Sequence, residues 1–211
     1  MTSEIDPIKV EHKYVLVFDI CSSTTIVEDL IRSERQELWR SLLIIMKNHL
    51  VEERAKSNFI IYKFIGDGWI LLFEEHFSMT ELFLIMKRIC EKYDDAFRRK
   101  IKGVLSIPID AVGITFGLEE GSLIKIVMNS QTEYVGRAIN IATRLQGAIK
   151  DKDKNPQGKV MMSNKVYVDA KHEIKSIYRV VGVERNLRNI SGGNKYLAKK
   201  LYLFEAPKKK A

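Results

Sequence analysis

Two apolar runs joined by a tight turn limit the possible folds of this chain more than any other feature. The runs are Phe59–Ile65 and Trp69–Phe73, and Gly66-Asp67-Gly68 separates them. A Gly-Asp-Gly turn reverses the chain within a few residues, so the segment predicts an antiparallel β-hairpin. Because such turns are common, their function has to be inferred from the residues around them.

The segments around this hairpin alternate between strand and helix patterns. Tyr14–Phe18 predicts a strand that leads through a polar stretch into one helix, and a second long helix follows the hairpin. Apolar residues recur at 3.6-residue spacing on one stripe of each helix. The first stripe contains Trp39, Leu42, Leu43, Met46 and Leu50, and the second contains Leu82, Ile85, Met86, Ile89, Tyr93, Ala96 and Phe97.

Two further strands are predicted after the second helix. They lie at Ile109–Phe116 and Leu123–Met128, with a turn from Gly117 to Gly121 between them, and another helix follows. The order β-α-β-β-α-β predicts a ferredoxin-like α+β fold, in which two helices pack on one face of a sheet.

A smaller C-terminal segment follows this core. A loop rich in Lys, Asp, Asn, Pro and Gly, residues 150–159, separates a core at about 14–150 from an extension at about 159–205. The extension predicts a small α/β unit with strands at Val160–Met162, Tyr178–Val183 and Lys200–Phe204. Because the sequence has no internal repeat and no second core, we expect one domain over residues 1–211.

Composition and charge agree with a compact enzyme. The chain has 211 residues, 45% of them hydrophobic, and a net charge of +8. Local lysine clusters lie at Lys150–Lys154 and Lys208–Lys210, but the other lysines are spread along the chain. We therefore expect a solvated basic surface, part of which suits a polyanionic substrate, and no nucleic-acid partner. Asp6-Pro7 and Pro207–Ala211 are expected to be loose ends.

The sequence also predicts a cytoplasmic location. No apolar run approaches the ~20 residues that span a bilayer, and Met1–Lys13 is too polar for a signal peptide. Two cysteines, Cys21 and Cys90, do not form a disulfide framework. The four histidines are scattered without metal-ligand spacing, which argues against a zinc site.

Two aspartates stand where predicted strands end. Asp19 lies in Val17-Phe18-Asp19-Ile20-Cys21-Ser22-Ser23-Thr24, and Asp67 lies in the hairpin turn. Either residue alone is typical of a turn or a helix N-cap. Together, two carboxylates on neighbouring strand ends form an oxygen-rich site suited to Mg²⁺ or Mn²⁺, the cations that accompany nucleotide phosphates.

A later segment adds an Asn/Arg pair. In Gly136-Arg137-Ala138-Ile139-Asn140-Ile141-Ala142-Thr143-Arg144 the side chains of Asn140 and Arg144 are four residues apart, on one face of a predicted helix. Such a pair by itself is typical of a solvated face. In this order, the acidic pair, the glycine turn and the Asn/Arg face resemble the catalytic domain of the class III nucleotidyl cyclases, over roughly Tyr14 to Phe204.

The resemblance implies conversion of a nucleoside triphosphate into a 3′,5′-cyclic nucleotide and pyrophosphate, with two divalent metal ions per site, Mn²⁺ or Mg²⁺. Asp19 and Asp67 would hold the metals, with the backbone carbonyl of Ile20 as a further ligand. Arg144 would stabilise charge on the α-phosphate, and Asn140 would orient the ribose.

The resemblance also implies the rest of the substrate site. Phe18, beside the first metal aspartate, is placed among the substrate-binding residues, and Arg188 or Lys195 would contact the terminal phosphates. In this family the metal aspartates and the Asn/Arg pair of one site come from different subunits. We therefore expect a head-to-tail homodimer with two shared sites.

Two residues, Lys63 and Glu133, are candidates for reading the base. Lys63 stands where adenylate cyclases carry a base-reading lysine. Glu133 stands where those enzymes usually have Asp or Thr and guanylate cyclases usually have Cys. A cationic donor and a carboxylate acceptor match adenine or cytosine, and match uracil less directly. Tyr62 and Trp69 add bulk that would favour a pyrimidine; alternatively, Lys63 and Glu133 face the core.

The run from Tyr62 to Trp69 resembles the hairpin of the bacterial pyrimidine cyclases of Pycsar antiphage systems. That resemblance implies cyclic UMP or cyclic CMP as product, read by a separate effector protein, and a soluble adenylate cyclase is the alternative. Diguanylate cyclases and polymerase palm domains would need a paired acidic motif, whereas this hairpin has a single Asp. A non-catalytic nucleotide-binding regulator would be expected to lack one of Asp19, Asp67, Asn140 and Arg144.

Overall fold

A mixed sheet organises the part of the chain that the computed structural model describes, residues 8–150 and 155–207. Its strands are β1 (Lys9–Ile20), β2 (Ile60–Phe64), β3 (Gly68–Glu74), β4 (Ile114–Met128), β5 (Gln131–Val135), β6 (Lys159–Ser163), β7 (Arg179–Arg185) and β8 (Tyr196–Tyr202). The helices are α1 (Ser23–Arg32), α2 (Gln36–Ser57), α3 (Met79–Lys100), α4 (Arg137–Lys150) and α5 (Asn164–Ile174).

The strand order is β2-β3-β1-β4-β6-β8-β7, and β5 forms a hairpin with β4. β1 pairs antiparallel with β3 on one side and with β4 on the other. β4 and β6 run parallel. The predicted α+β fold with a ferredoxin-like βαββαβ unit is confirmed, with β1, β2, β3 and β4 as its strands.

Apolar side chains cover both faces of this sheet. On one face, α1, α2, α3 and α5 pack over the main core, which includes Leu16 and Phe18 of β1. The predicted stripe of α3 is buried over its whole length, and Leu42, Met46 and Leu50 of α2 are buried with it. On the other face, α4 packs Ala138 and Ala142 against the sheet. The two helices of the βαββαβ unit, α2 and α3, therefore share one face as predicted, and α4 covers the other face, which the sequence had not assigned to a helix.

The predicted turn between Gly117 and Gly121 is wrong, because β4 runs through it as one strand that pairs with β1. These glycines instead allow α4 to approach the sheet. A Cβ added at Gly117 would lie 1.9 Å from the Ala142 carbonyl oxygen, and one at Gly121 would lie 3.2 Å from the Ala138 Cβ. The chain reverses later, at Asn129 and Ser130, which adopt positive φ angles of 51° and 63°.

The C-terminal extension contains the three predicted strands, as β6, β7 and β8, and also α5, the helix of the predicted α/β unit, whose position the sequence did not specify. The predictions for Asp6-Pro7, for most of the 150–154 cluster and for residues 208–211 lie outside the described residues. Among the described helices, none is both long and apolar enough to cross a membrane.

Gly117→Ala should destabilise the protein, because its Cβ would overlap the backbone of α4. We expect the free energy of unfolding to fall by about 1–3 kcal/mol, as for other overpacked cores. The matched control is Gly147→Ala, on α4 itself, where an added Cβ meets nothing within 4 Å. That change should raise the free energy by ~0.5–1 kcal/mol through helix propensity. Urea denaturation measures both, and equal stability of the two variants would contradict the packing argument.

Candidate active site

The two predicted metal aspartates lie at the same end of neighbouring strands. The β1–β3 register pairs Asp19 with Gly68, the residue after Asp67. The Ile20 backbone N–H also donates to the Asp67 carbonyl oxygen at 3.3 Å. Gly68 has to be glycine, since a Cβ there would lie 1.9 Å from the Phe18 carbonyl oxygen. The close approach of the hairpin to β1 therefore places both carboxylates at one edge of the sheet.

Each carboxylate accepts a hydrogen bond from a buried polar side chain. The Ser23 hydroxyl donates to Asp67 Oδ2. The Gln146 amide donates to Asp19 Oδ2 at 3.3 Å and to Thr115 Oγ1 at 2.8 Å. Sequence reasoning missed both donors. Ser23 lies within the segment that identified Asp19, but Gln146 lies on the opposite face of α4 from Arg144 and has no local signal.

The start of α1 lies next to these carboxylates. Ser22 precedes the helix in a left-handed conformation, with φ of 57°, and the first helical turn contains no acidic residue. Amide N–H groups of a first turn have no partner within their own helix, and the helix dipole makes this end positive. Helix N-termini with these properties bind phosphate oxygens. The arrangement thus places two carboxylates, which suit a cation, beside a helix start, which suits an anion.

The carboxylate oxygens of Asp19 and Asp67 are of the kind that binds magnesium or manganese. The described residues contain no cluster of three or more His, Cys, Asp or Glu side chains that could hold a metal. An ion here would therefore depend on Asp19, Asp67 and backbone oxygens such as that of Ile20, together with oxygens of its substrate. One or two carboxylates completed by substrate phosphates is the usual binding mode of Mg²⁺.

The two predicted base-reading residues, Lys63 and Glu133, meet beside Tyr62. The Tyr62 hydroxyl donates to Glu133 Oε2 at 2.6 Å, and the Lys63 ammonium lies 3.4 Å from the same oxygen. The hydrogen bond from Tyr62 holds the pKa of the Glu133 carboxyl below its usual value. Burial opposes this shift, and the hydrogen bond and charge of Lys63 add to it. The Tyr62 ring packs edge-on against Tyr134, with 5.4 Å between ring centroids.

Trp69 does not belong to this cluster, contrary to the sequence interpretation. Its side chain is 3% exposed and packs against Phe18 and Phe64, in the core on the other face of the sheet. Of these two aromatic residues, Tyr62 therefore adds bulk beside Lys63 and Glu133, and Trp69 does not. Phe18 is itself fully buried, and a substrate contact at this position would have to come from its backbone.

Asn140 and Arg144 are exposed on α4. Among the described residues, neither forms a hydrogen bond or an ion pair with Asp19 or Asp67 of the same chain. Arg188 and Lys195 are also exposed, in the connection between β7 and β8. This connection contacts the start of α4, where the Arg137 guanidinium donates to the Ser191 carbonyl oxygen at 2.9 Å.

Comparison with known proteins gives a fold. No protein-family model matches the sequence, and a search of curated proteins found no match. Solved structures do match. The adenylyl cyclase CyaB from P. aeruginosa is 17% identical with a TM-score of 0.69, and the match covers 93% of this chain and 96% of that one.

Two other matches are similar. Adenylate cyclases from Trypanosoma brucei are 14% identical over 95% of this chain and 92% of theirs, with a TM-score of 0.66. The guanylyl cyclase Cya2 is 16% identical over 92% of each chain, with a TM-score of 0.61. The fold is that of the class III nucleotidyl cyclase domains. At these identities the likeness establishes the fold alone.

Tyr62→Phe should raise the pKa of Glu133 towards its usual value, because the carboxylate loses its shortest hydrogen bond. The ring contact with Tyr134 is retained, but the Tyr134 backbone N–H loses its bond to the hydroxyl, so the free energy of unfolding should fall by about 1–3 kcal/mol. Lys63→Met removes the longer contact and should raise the pKa less. Titration of the Glu133 side-chain NMR signal measures both shifts, and an unchanged pKa in Tyr62→Phe would show that the hydroxyl does not act on Glu133.

Proposed function

We propose that this chain is a nucleotidyl cyclase, which converts a nucleoside triphosphate into a 3′,5′-cyclic nucleotide and pyrophosphate. The observation that carries this proposal is the pair of carboxylates, Asp19 and Asp67, beside the start of α1. The class III cyclase fold supports it, since solved structures with this fold include adenylyl and guanylyl cyclases.

Each residue of the proposed site has one task in the reaction. Asp19, Asp67 and the Ile20 carbonyl hold two divalent ions, Mn²⁺ or Mg²⁺, which when bound lower the pKa of the ribose 3′-hydroxyl and offset phosphate charge. The start of α1 binds phosphate oxygens.

The ribose 3′-hydroxyl gives its proton to water, its oxygen bonds to the α-phosphorus, and the bond from the α-phosphorus to the bridging oxygen breaks, which releases pyrophosphate. Arg144 stabilises the charge that develops on the α-phosphate. Asn140 orients the ribose, and Arg188 or Lys195 contacts the terminal phosphates.

A head-to-tail homodimer completes this site. Asn140 and Arg144 lie on an exposed face of α4 and do not contact the aspartates of their own chain, as expected if they serve a partner's site. An apolar surface supports self-association. Val10, Ile124 and Val135 are cross-strand neighbours on β1, β4 and β5, and all three are exposed.

We further propose that the substrate is a pyrimidine nucleotide. The Lys63 ammonium and the Glu133 carboxylate fit cytosine or adenine, whose edges each present a ring acceptor beside an amine. Tyr62 fills space next to this pair and favours the smaller base. Cyclic CMP or cyclic UMP would then act as a messenger in antiviral defence, read by a separate effector protein. A soluble adenylate cyclase is the alternative, because the Lys63–Glu133 pair fits adenine equally well.

The base preference can be measured directly. Purified protein is incubated with Mn²⁺ and an equimolar mixture of ATP, GTP, CTP and UTP, and the products are identified by mass. Cyclic CMP or cyclic UMP as the main product is expected. A preference for ATP would replace the pyrimidine proposal with the adenylate cyclase, and absence of any cyclic product under these conditions would argue against a cyclase.

Asp19→Ala and Asp67→Ala should each lower the rate of cyclisation by about a thousandfold, because metal ions contribute several kcal/mol to such reactions. Both residues lie at a strand end and are only partly buried, so the thermal unfolding temperature should change little. Asp95→Ala is the control, since this carboxylate pairs with Arg99 on the surface of α3. Activity within tenfold of wild type in either site variant would refute the metal assignment.

Two inactive variants should restore activity when mixed. A dimer of Asp67→Ala and Arg144→Ala chains has one site with both halves intact and one with both changes. Random exchange of equal amounts should therefore recover about a quarter of the wild-type activity in a symmetric dimer. Mass spectrometry of differently tagged chains verifies the exchange. If exchange occurs without recovery, the two halves do not come from different subunits.

A further inference from the structure

Gln146 is a polar residue on the buried face of α4. Its side chain is 7% exposed, and its amide spans two strands of the sheet. The amide nitrogen donates to Thr115 Oγ1 at 2.8 Å and to Asp19 Oδ2 at 3.3 Å. Burying an amide costs free energy unless it is hydrogen-bonded, so both contacts hold this side chain in one position.

Two paired strands of the sheet present hydrogen-bond acceptors to this side chain. Asp19 and Thr115 are directly paired across β1 and β4, so one amide can reach both. Gly117, two residues along β4, leaves the space in which α4 approaches. A Cβ at Gly117 would lie 2.6 Å from the Gln146 backbone nitrogen and 2.8 Å from the Gln146 Cβ. The depth of α4 against the sheet therefore decides whether the amide reaches Asp19.

We propose that Gln146 is a positioning residue for the metal carboxylate of Asp19. Its N–H group holds Oδ2 and so fixes the rotation of the carboxylate before an ion binds. Hydrogen bonds to metal-ligating side chains act in this way elsewhere, and their loss typically lowers metal affinity ~10–100-fold. This inference rests on the proposed metal site at Asp19 and Asp67, and adds a residue that the cyclase resemblance did not include.

The position of Gln146 also connects the two sites of the proposed dimer. Asn140 and Arg144 occupy the exposed face of α4 and serve the partner's aspartates, whereas Gln146 contacts Asp19 of its own chain. One rigid helix thus touches both sites. A displacement of α4 by substrate at one site would alter the Asp19 carboxylate at the other.

Metal binding tests the proposal without relying on turnover. Free Mn²⁺ is measured by electron paramagnetic resonance during titration of purified protein. Gln146→Met keeps the length of the side chain but removes the donor, and should weaken Mn²⁺ binding about tenfold. Thr115→Val keeps the shape of that residue but frees the amide, and should weaken binding less. Thr143→Ala, on the exposed face of α4, is the matched control and should bind as the wild type does.

The outcomes separate this inference from the proposed function. Wild-type affinity in Gln146→Met overturns the positioning role alone. If that variant does not fold, wild-type affinity in Gln146→Leu, which also lacks the donor, overturns it in the same way. Absence of Mn²⁺ binding by the wild type would overturn the metal site and this role together.

Mixed dimers then distinguish positioning from a general disturbance of α4. In the Asp67→Ala and Arg144→Ala pair, the intact site takes its aspartates from the Arg144→Ala chain. Gln146→Met on that chain should raise the Mn²⁺ concentration for half-maximal activity about tenfold. The same shift with Gln146→Met on the Asp67→Ala chain would mean that Gln146 acts through Asn140 and the partner-facing side of α4, and would refute the proposal.

Discussion

The pairing of β1 with both β3 and β4 is the constraint on which the other features depend. β1 is an interior strand of the sheet, and its residues Val15–Phe18 are fully buried because helices cover both faces. Strands covered on both faces require a continuous apolar run. The first polar residue after that run, Asp19, therefore lies at the end of the strand, and the β3 register brings Asp67 beside it. Strand pairing thus places the two carboxylates together.

The two faces of the sheet carry different sets of side chains. The face that packs α1, α2, α3 and α5 contains the large apolar core and the side chains of Phe18 and Trp69. The face under α4 contains a smaller core, and beside it lie Tyr62 and Glu133. Alternate residues of one strand serve these two faces. Consequently a one-residue error in register would exchange core residues for site residues throughout the sheet.

Close approach of backbone, made possible by glycine, decides the geometry of the site. Gly68 brings the hairpin turn against β1, and Gly117 brings α4 against β4. Both positions leave no space for a Cβ. Hydrogen bonds then join these elements. The Ser23 hydroxyl donates to Asp67, and the Gln146 amide donates to Asp19. The site is therefore assembled by backbone packing first and by hydrogen bonds second.

The pattern of neighbouring residues in the sequence determined much of the secondary structure of this protein. Neighbouring residues are enough to predict the apolar period of α3, the turn at Gly66-Asp67-Gly68 and the polar residue at the end of the first strand. The structure has each of them, although β1 continues one residue beyond Asp19. Tertiary structure alone decided that β4 crosses the predicted turn at Gly117, because only α4 explains the glycines there. It also decided the face occupied by Trp69 and the contact of Gln146 with Asp19, a pair 127 residues apart in sequence. Local periodicity contains no information about which distant residues meet, since that depends on how the helices pack on the sheet.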